Sequence, residues 1–202
     1  MIKLVVVLVG FGLIETSLSP ILDNKSSILV TSGGLFCKKP LLKPTSPKAD
    51  AESRLEMVRI ALLELPLEIQ NKLEICSFEV KRSESSYAID SVIHLKSERD
   101  ASFTWILGSD AAANLTKWHR FEELQELVDF LVVLRPDAKF VLIPGAHVTS
   151  IEIDALPVSS TEVRNSLIAG KEVASAVPVS VINYIERNGL YASAWKYDCV
   201  NS

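Results

Sequence analysis

The chain has 202 residues, 48% of them apolar and 23% charged, which suits one globular domain with a proper core and excludes a disordered or fibrous chain. A formal net charge of −4 argues against a general nucleic-acid binder. Cys37, Cys76 and Cys199 are far apart and odd in number, with neither zinc spacing nor a disulfide framework, so a reducing cytoplasm is the simple expectation.

In chain order, Lys3 precedes an apolar run from Leu4 to Ile14. That run is too short to span a membrane, and no membrane partner is expected. A lysine followed by an apolar stretch also fits a signal peptide. The other reading is a first strand, "IKLVVVLVG", because continuous Val/Leu runs mark the strands of parallel sheets. "TSLSP" is a poor cleavage site, which favours the strand.

"SSILVTSGG" reads as a second strand ending in a glycine turn. Residues 38–50, "KKPLLKPTSPKAD", form an exposed, mobile loop on their prolines and lysines. A helix opens at Asp50 or Ala51 and carries Leu55, Val58, Leu62 and Leu65 on one face. "LEICSFEV" reads as a third strand, and "YAIDSVIHLKSE" as an amphipathic helix through Ile89, Val92, Ile93 and Leu95. "SFTWILG" is a strand and "KWHRFEELQELV" a helix, followed by strands "DFLVVLRP" and "KFVLIPG". Ile151, Ile153, Leu156 and Val158 make an extended segment before a further helix with Val163, Leu167 and Ile168. In "VPVSVINYIERNGLY" Pro178 suits a helix's first turn and Gly189 the residue beyond its end.

Strands alternating with helices imply an α/β fold, a Rossmann-like, doubly wound parallel sheet with helices on both faces. Ligands of such sheets sit at the carboxyl ends of the strands. The residues there are Gly10-Phe11-Gly12, Gly33-Gly34, Gly108-Ser109-Asp110, Arg135-Pro136 and Ser159-Ser160-Thr161.

The stretch "LPVSSTEVRNSL" bears most directly on chemistry. Ser159 with Glu162 three residues on is a capping box. Free N–H groups and the positive end of the helix dipole favour a phosphate there, and Arg164 lies one turn in with a forked donor. An ordinary capped helix with a solvated arginine fits the same residues.

Several segments together resemble the bacterial nicotinate-nucleotide adenylyltransferases. They are "ESRLEMVRIAL", "SSYAIDSVIHLKSE", "FTWILGSDAAANLTKWHRFEEL", "LVVLRPD" and "LPVSSTEVRNSLIAGKEVASAVPVSVINYIERNGLY", in the family's order over roughly residues 50 to 191. The resemblance implies adenylyl transfer from ATP to nicotinate mononucleotide, giving nicotinate adenine dinucleotide and pyrophosphate in NAD biosynthesis. It implies that Ser159, Ser160, Thr161 and Arg164 grip the ATP phosphates, with Gly108 allowing close backbone approach. Asp110 would contact the nucleotide substrate, Trp118 would stack on the pyridine ring, and Tyr87 and Arg135 would join that substrate site. On the residues alone, Trp118 also reads as a core aromatic, Asp110 as a helix cap and His119 as structural. Mg²⁺ is expected with ATP from the phosphate chemistry, though no residues of the sequence dictate it. A related enzyme acting on pantetheine phosphate would share the Ser-Ser-Thr turn, but the Gly-x-Asp and Trp-His segments argue against it.

The first fifty residues depart from the family, whose Gly-Gly-Thr-Phe-Asp-Pro and His-x-Gly-His signature follows the first strand. The corresponding stretch, "VGFGLIETSLSPILDNKSS", contains no histidine. Gly10 and Gly12 offer only backbone approach to phosphates, and Ala88 stands where the family commonly has threonine. Three explanations stay open: an active enzyme using other groups, a nucleotide-binding relative impaired in catalysis, or a misread N-terminus. No catalytic residue is assigned. The expected organisation is one domain over residues 1–202, with residues 192–202 a tail.

Overall fold

A computed structural model describes residues 3–8, 26–31, 49–82, 87–134, 143–152, 160–173 and 176–191, with side chains from Ala49 onward except at Ser160. The elements run β1 (Lys3–Leu8), β2 (Ser26–Thr31), α1 (Ala51–Leu62), α2 (Leu67–Gln70), β3 (Leu73–Ile75), α3 (Phe78–Lys81) and α4 (Ala88–Glu98). Then come β4 (Ser102–Gly108), α5 (Ser109–Ala112), a 3₁₀ turn (Leu115–Lys117), α6 (Phe121–Leu127), β5 (Asp129–Leu134), β6 (Val148–Glu152), α7 (Ser160–Ile168) and α8 (Val179–Arg187).

The strands form one sheet in the order β3-β2-β1-β4-β5-β6, every neighbour pair parallel. The order reverses between β1 and β4, where Val7 lies opposite Ile106. Side chains alternate across the sheet as the two-residue strand period demands. Phe103, Trp105, Leu107, Phe130, Val132 and Leu134 face a core shared with α4 and α6. Ile106, Leu131 and Val133 face the opposite core, under α1. Outside α1, its Met57 joins Val163 and Leu167 of α7 and Val181 and Ile185 of α8 in a third cluster. The sheet is therefore covered by helices on both faces, as expected.

Local chemistry sets the helix ends. Asp50 caps α1, its Oδ1 accepting from the Ser53 N–H at 2.7 Å. Helix α7 ends at Gly170 (φ +67) and α8 at Gly189 (φ +61). In each the glycine N–H and the next N–H bond back into the helix, from Gly170 to Leu167 and Lys171 to Ser166, and from Gly189 to Glu186 and Leu190 to Ile185. That is the Schellman pattern, which needs a left-handed residue.

Several expectations are corrected. "LEICSFEV" is not one strand: β3 stops at Ile75 and Phe78 opens α3. Strand β3 pairs with β2 through three residues only, so no ladder carries it further. "KWHRFEELQELV" is not one helix, because Arg120 is left-handed (φ 55) and α6 starts after it. The bidentate bonds of Arg120 to Glu123, at 2.8 and 2.7 Å, hold that turn. Trp118 therefore stands on extended backbone at the end of the 3₁₀ turn. Leu65 lies beyond the end of α1 yet is buried, and Ile93 is 41% exposed instead of joining the apolar face of α4. Pro178 is the N-cap of α8, one residue before its first turn. In "KFVLIPG", residues 139–142 lie outside the described residues and Pro144-Gly145 form a turn. The strand beside β5 is β6, from the segment read as extended through Ile151. The loop expected over 38–50 lies outside the described residues except for Ala49 and Asp50.

Candidate active site

Parallel strands joined through helices turn every connecting helix against the strand direction. The N-termini of α4 and α6 therefore lie toward the carboxyl ends of the strands, because each helix leads into the start of the next strand. Tyr87, the N-cap of α4, and Arg120, the N-cap of α6, stand on that rim with Gly108 at the end of β4. Helix α7 opens after β6 ends at Glu152, with residues 153–159 between them.

One group of side chains stands on the α4 and α6 face. The rings of Tyr87 and His119 lie 4.0 Å apart at 30°. Tyr87 and Trp118 are both half-buried and pack against the core beneath this face. His119 and Asp110 are exposed. Asp110 sits in the first turn of α5, and its carbonyl accepts from Asn114 Nδ2 at 3.3 Å. Asn114 Oδ1 accepts in turn from Lys117 Nζ at 3.1 Å, which places a cation beside this loop. Sequence reading passed over Lys117 because a lysine in a polar turn carries no distinguishing spacing. The core packing of Trp118 and its partial exposure hold together, since one edge of an indole can be anchored while the rest stays open.

A second group stands on the other face, where α7 packs outside α1. The half-buried Arg164 donates from Nη2 to Thr161 Oγ1 at 3.1 Å, and Thr161 is exposed. Tyr191, half-buried and left-handed at φ 60, belongs to the same cluster. Burial pushes its phenol up from the usual tyrosine value, and the cations of Arg164 and Arg54 pull the other way. Arg54 also donates to the Ala49 carbonyl at the mouth of α1. Both guanidinium groups thus act by charge on Tyr191, and Arg164 reaches the first turn of α7, whose own N–H groups have no partner within the helix. This concentration of donors and positive charge suits an anion. Arg54 and Tyr191 were missed by sequence reading, because only the tertiary packing of α1, α7 and α8 brings them to Arg164.

The two groups stand on opposite faces of the sheet, whose strand order reverses between β1 and β4, with Gly108 closing β4. Of the other residues singled out, Gly10, Gly12, Arg135 and Ser159 lie outside the described residues, and Ser160 is placed only as the first residue of α7.

The histidines divide by position. His94 lies within α4, stacked on Phe78 at 4.0 Å, and His147 pairs with Asp129 at 3.3 Å at the start of β5. That pair is at the amino end of the sheet, away from the rim. His119 alone of the three is on the rim. Among the described residues no group of three or more His, Cys, Asp or Glu side chains is placed to hold a metal, and no helix is long and apolar enough to cross a membrane.

Known proteins carry the same organisation. A cytidylyltransferase-like family model matches residues 34–166. A probable nicotinate-nucleotide adenylyltransferase of Exiguobacterium sibiricum is 32% identical over 149 residues, 73% of this chain and 76% of its own. One of the same name from Bacillus anthracis is 38% identical over 143 residues, 70% of this chain and 72% of its own. The solved structure of Plasmodium falciparum nicotinic acid mononucleotide adenylyltransferase complexed with NaAD is 21% identical. It superposes with a TM-score of 0.74 over 95% of this chain and 98% of its own. The family match begins after β2, whereas the likeness of fold extends over nearly the whole chain.

Proposed function

Because this chain belongs to the cytidylyltransferase-like family, and to the nicotinate-nucleotide adenylyltransferases among its members, we propose that it transfers the adenylyl group of ATP to nicotinate mononucleotide in NAD biosynthesis. A phosphate oxygen of the mononucleotide attacks the α-phosphorus of ATP. The bond to the β-phosphate oxygen breaks, and pyrophosphate leaves. No covalent bond to protein is needed, so catalysis is positioning and charge stabilisation.

What supports this reading is the helix mouth of α7, with Arg164 turned back onto Thr161, on one face of the sheet and the Tyr87–His119 ring pair on the other. Thr161 and Arg164, with Ser159 and Ser160 before them, would hold the ATP phosphates. Trp118 and Tyr87 would flank the pyridine ring, whose electron-poor face suits an indole. Asp110 would contact the mononucleotide beside Gly108, and Arg135 would join it from the end of β5. Gly10 and Gly12, after β1, would approach the phosphates through backbone alone. Mg²⁺ would enter as MgATP, since magnesium is commonly held by substrate phosphates, waters and one or two carboxylates. When bound it would neutralise phosphate charge. The cytoplasm is the compartment this reading expects.

A second reading, a homologue that binds nucleotide but is impaired in catalysis, is favoured by the histidine-free stretch after β1. Of the histidines elsewhere, His94 stacks on Phe78 and His147 pairs with Asp129 at the amino end of β5. Losing one well-placed donor to a developing charge costs about 10²–10³ in rate. Pyrophosphate release with both substrates and Mg²⁺ tests the enzyme reading, and turnover no faster than an empty-vector control sinks it. Calorimetric binding of ATP or of nicotinate mononucleotide without turnover supports the impaired homologue.

A further inference from the structure

Among the described residues, Glu79 and Ser91 are the buried polar side chains, at 1% and 0% exposure. Ser91 Oγ donates to Glu79 Oε1 at 2.8 Å, across twelve residues of sequence. A buried carboxylate is costly to desolvate, so a fold that keeps one needs donors set against it. The bond ties α3 to the second turn of α4. The next residue back makes a parallel tie, since Arg82 stands 3.9 Å from Asp90 and lies over the Phe78 ring at 5.2 Å. Phe78 itself stacks on His94, one turn further along α4.

Asp90 and Ser91 are also the residues that hold Tyr87. The Tyr87 N–H donates to Asp90 Oδ2 at 3.2 Å. The Tyr87 carbonyl accepts from the N–H groups of Asp90 and Ser91 at 3.1 and 3.3 Å. Both polar backbone atoms of Tyr87 are thus fixed by two residues that are themselves fixed to α3. Its ring in turn lies against His119, next to Trp118.

We propose that the buried Glu79–Ser91 pair is a positioning device: it sets the mouth of α4, and with it the Tyr87–His119 wall, for the pyridine nucleotide. The proposal rests on the substrate reading above for what the wall receives, while the placing of the wall itself can be read without any ligand. Neither residue touches substrate. The device acts on one face of the sheet, so it predicts an effect on nicotinate mononucleotide and none on ATP, which engages α7 on the other face.

The test compares Glu79→Gln with the pair Glu79→Gln plus Ser91→Ala. Glutamine keeps an oxygen to accept from the Ser91 hydroxyl and has no ionisable group. Both proteins are then free of a charged group short of a donor, and they differ by the hydroxyl alone. In calorimetry Glu79→Gln binds nicotinate mononucleotide within about two-fold of wild type. The double variant binds it about ten-fold more weakly, the equivalent of one net hydrogen bond, with ATP affinity unchanged. In the ligand-free protein the His119 ring-proton resonance, set by the ring current of Tyr87 and assigned with His119→Gln, shifts in the double variant and not in Glu79→Gln. Equal mononucleotide affinity in the two variants with an unmoved His119 resonance overturns the proposal. So does a parallel loss of ATP affinity, which would mean general loosening. If wild type binds neither nucleotide, the substrate reading fails; the His119 resonance then decides separately whether the pair positions the wall.

Discussion

The guanidinium of Arg164 turns back along its own helix to donate to the Thr161 hydroxyl at 3.1 Å, in the first turn of α7. A free arginine side chain samples many rotamers, and ordering one costs up to about 2 kcal/mol. The Thr161 bond sets part of that order before any anion arrives, at the helix end where an anion is favoured. Replacing Arg164 with alanine is expected to weaken ATP binding by about 1–3 kcal/mol, the range for a charge-assisted hydrogen bond. Nicotinate mononucleotide binding and the melting temperature of the empty protein stay close to wild type. Melting the variant with and without ATP checks this: an ATP-induced shift as large as in wild type would make Arg164 part of a helix cap and nothing more.

Gly108 gives a cleaner probe of close approach. Its backbone is in the extended region at φ −74, ψ 159, which any residue adopts, and a Cβ built there meets no atom within 4 Å among the described residues. Gly108→Ala is therefore expected to leave the melting temperature unchanged or slightly raised, since alanine restricts the unfolded chain. Any fall in nucleotide affinity must then come from the ligand meeting the methyl group. Calorimetry beside a melting curve reads both, and full nucleotide affinity in the variant would show that nothing approaches the backbone at this strand end.

What was legible in the sequence were features written in local chemistry. "SFTWILG" gave both ends of β4, which opens on Ser102 and closes on Gly108. Asp50 marked α1, and Gly189 marked the end of α8. What escaped were breaks made by tertiary packing. The alternation of "LEICSFEV" continues past Ile75, but β3 is paired on one side only, with β2, and only through three residues. The period of "KWHRFEELQELV" runs unbroken through Arg120, because a left-handed residue other than glycine leaves no mark in a hydrophobic pattern. At the candidate site, the resemblance singled out Tyr87, Trp118 and Arg164. Their neighbours His119, Arg54 and Tyr191 emerge as part of it only once α1, α7 and the rim are in place. Glu79, in the segment read as a strand and not singled out there, is buried.

Gly189 at φ +61 closes α8, and a Cβ there also meets no atom within 4 Å among the described residues. Steric crowding by neighbours is thus removed as a cause, and only the backbone cost of a left-handed residue is left. Gly189→Ala is expected to destabilise the protein by about 1 kcal/mol. For a chain of this size that lowers the melting temperature by about 2–4 °C. Gly189→Asn, which tolerates the left-handed region, should lose less. Chemical denaturation of both variants checks the order, and equal stability of alanine and glycine would mean that the Schellman turn re-forms without a left-handed residue.

Tyr191, just beyond the end of α8, is coupled by charge to Arg164 of α7. Its phenol is held up by burial, with Arg164 and then Arg54 opposing. A folded-state value above the unfolded one means that the native state holds this proton more tightly. The resulting stability is complete below the ordinary tyrosine value of about 10 and is lost as pH rises through the folded value. Tyr191→Phe keeps the ring and removes the ionisation, so its stability should fall off less steeply above about pH 10. The arginines add a second expectation. Taking away the Arg164 cation removes a group that favours the phenolate, so Arg164→Ala should raise the Tyr191 value further. A polyphosphate bound to Arg164 should do the same in wild type by neutralising it. Ultraviolet titration of phenolate, with Tyr191→Phe subtracted to isolate one tyrosine of four, reads each case. A Tyr191 curve that ATP moves upward in wild type but leaves in place in Arg164→Ala would tie the anion to that guanidinium. A curve that ATP does not move in wild type would separate Tyr191 and Arg164 from nucleotide binding.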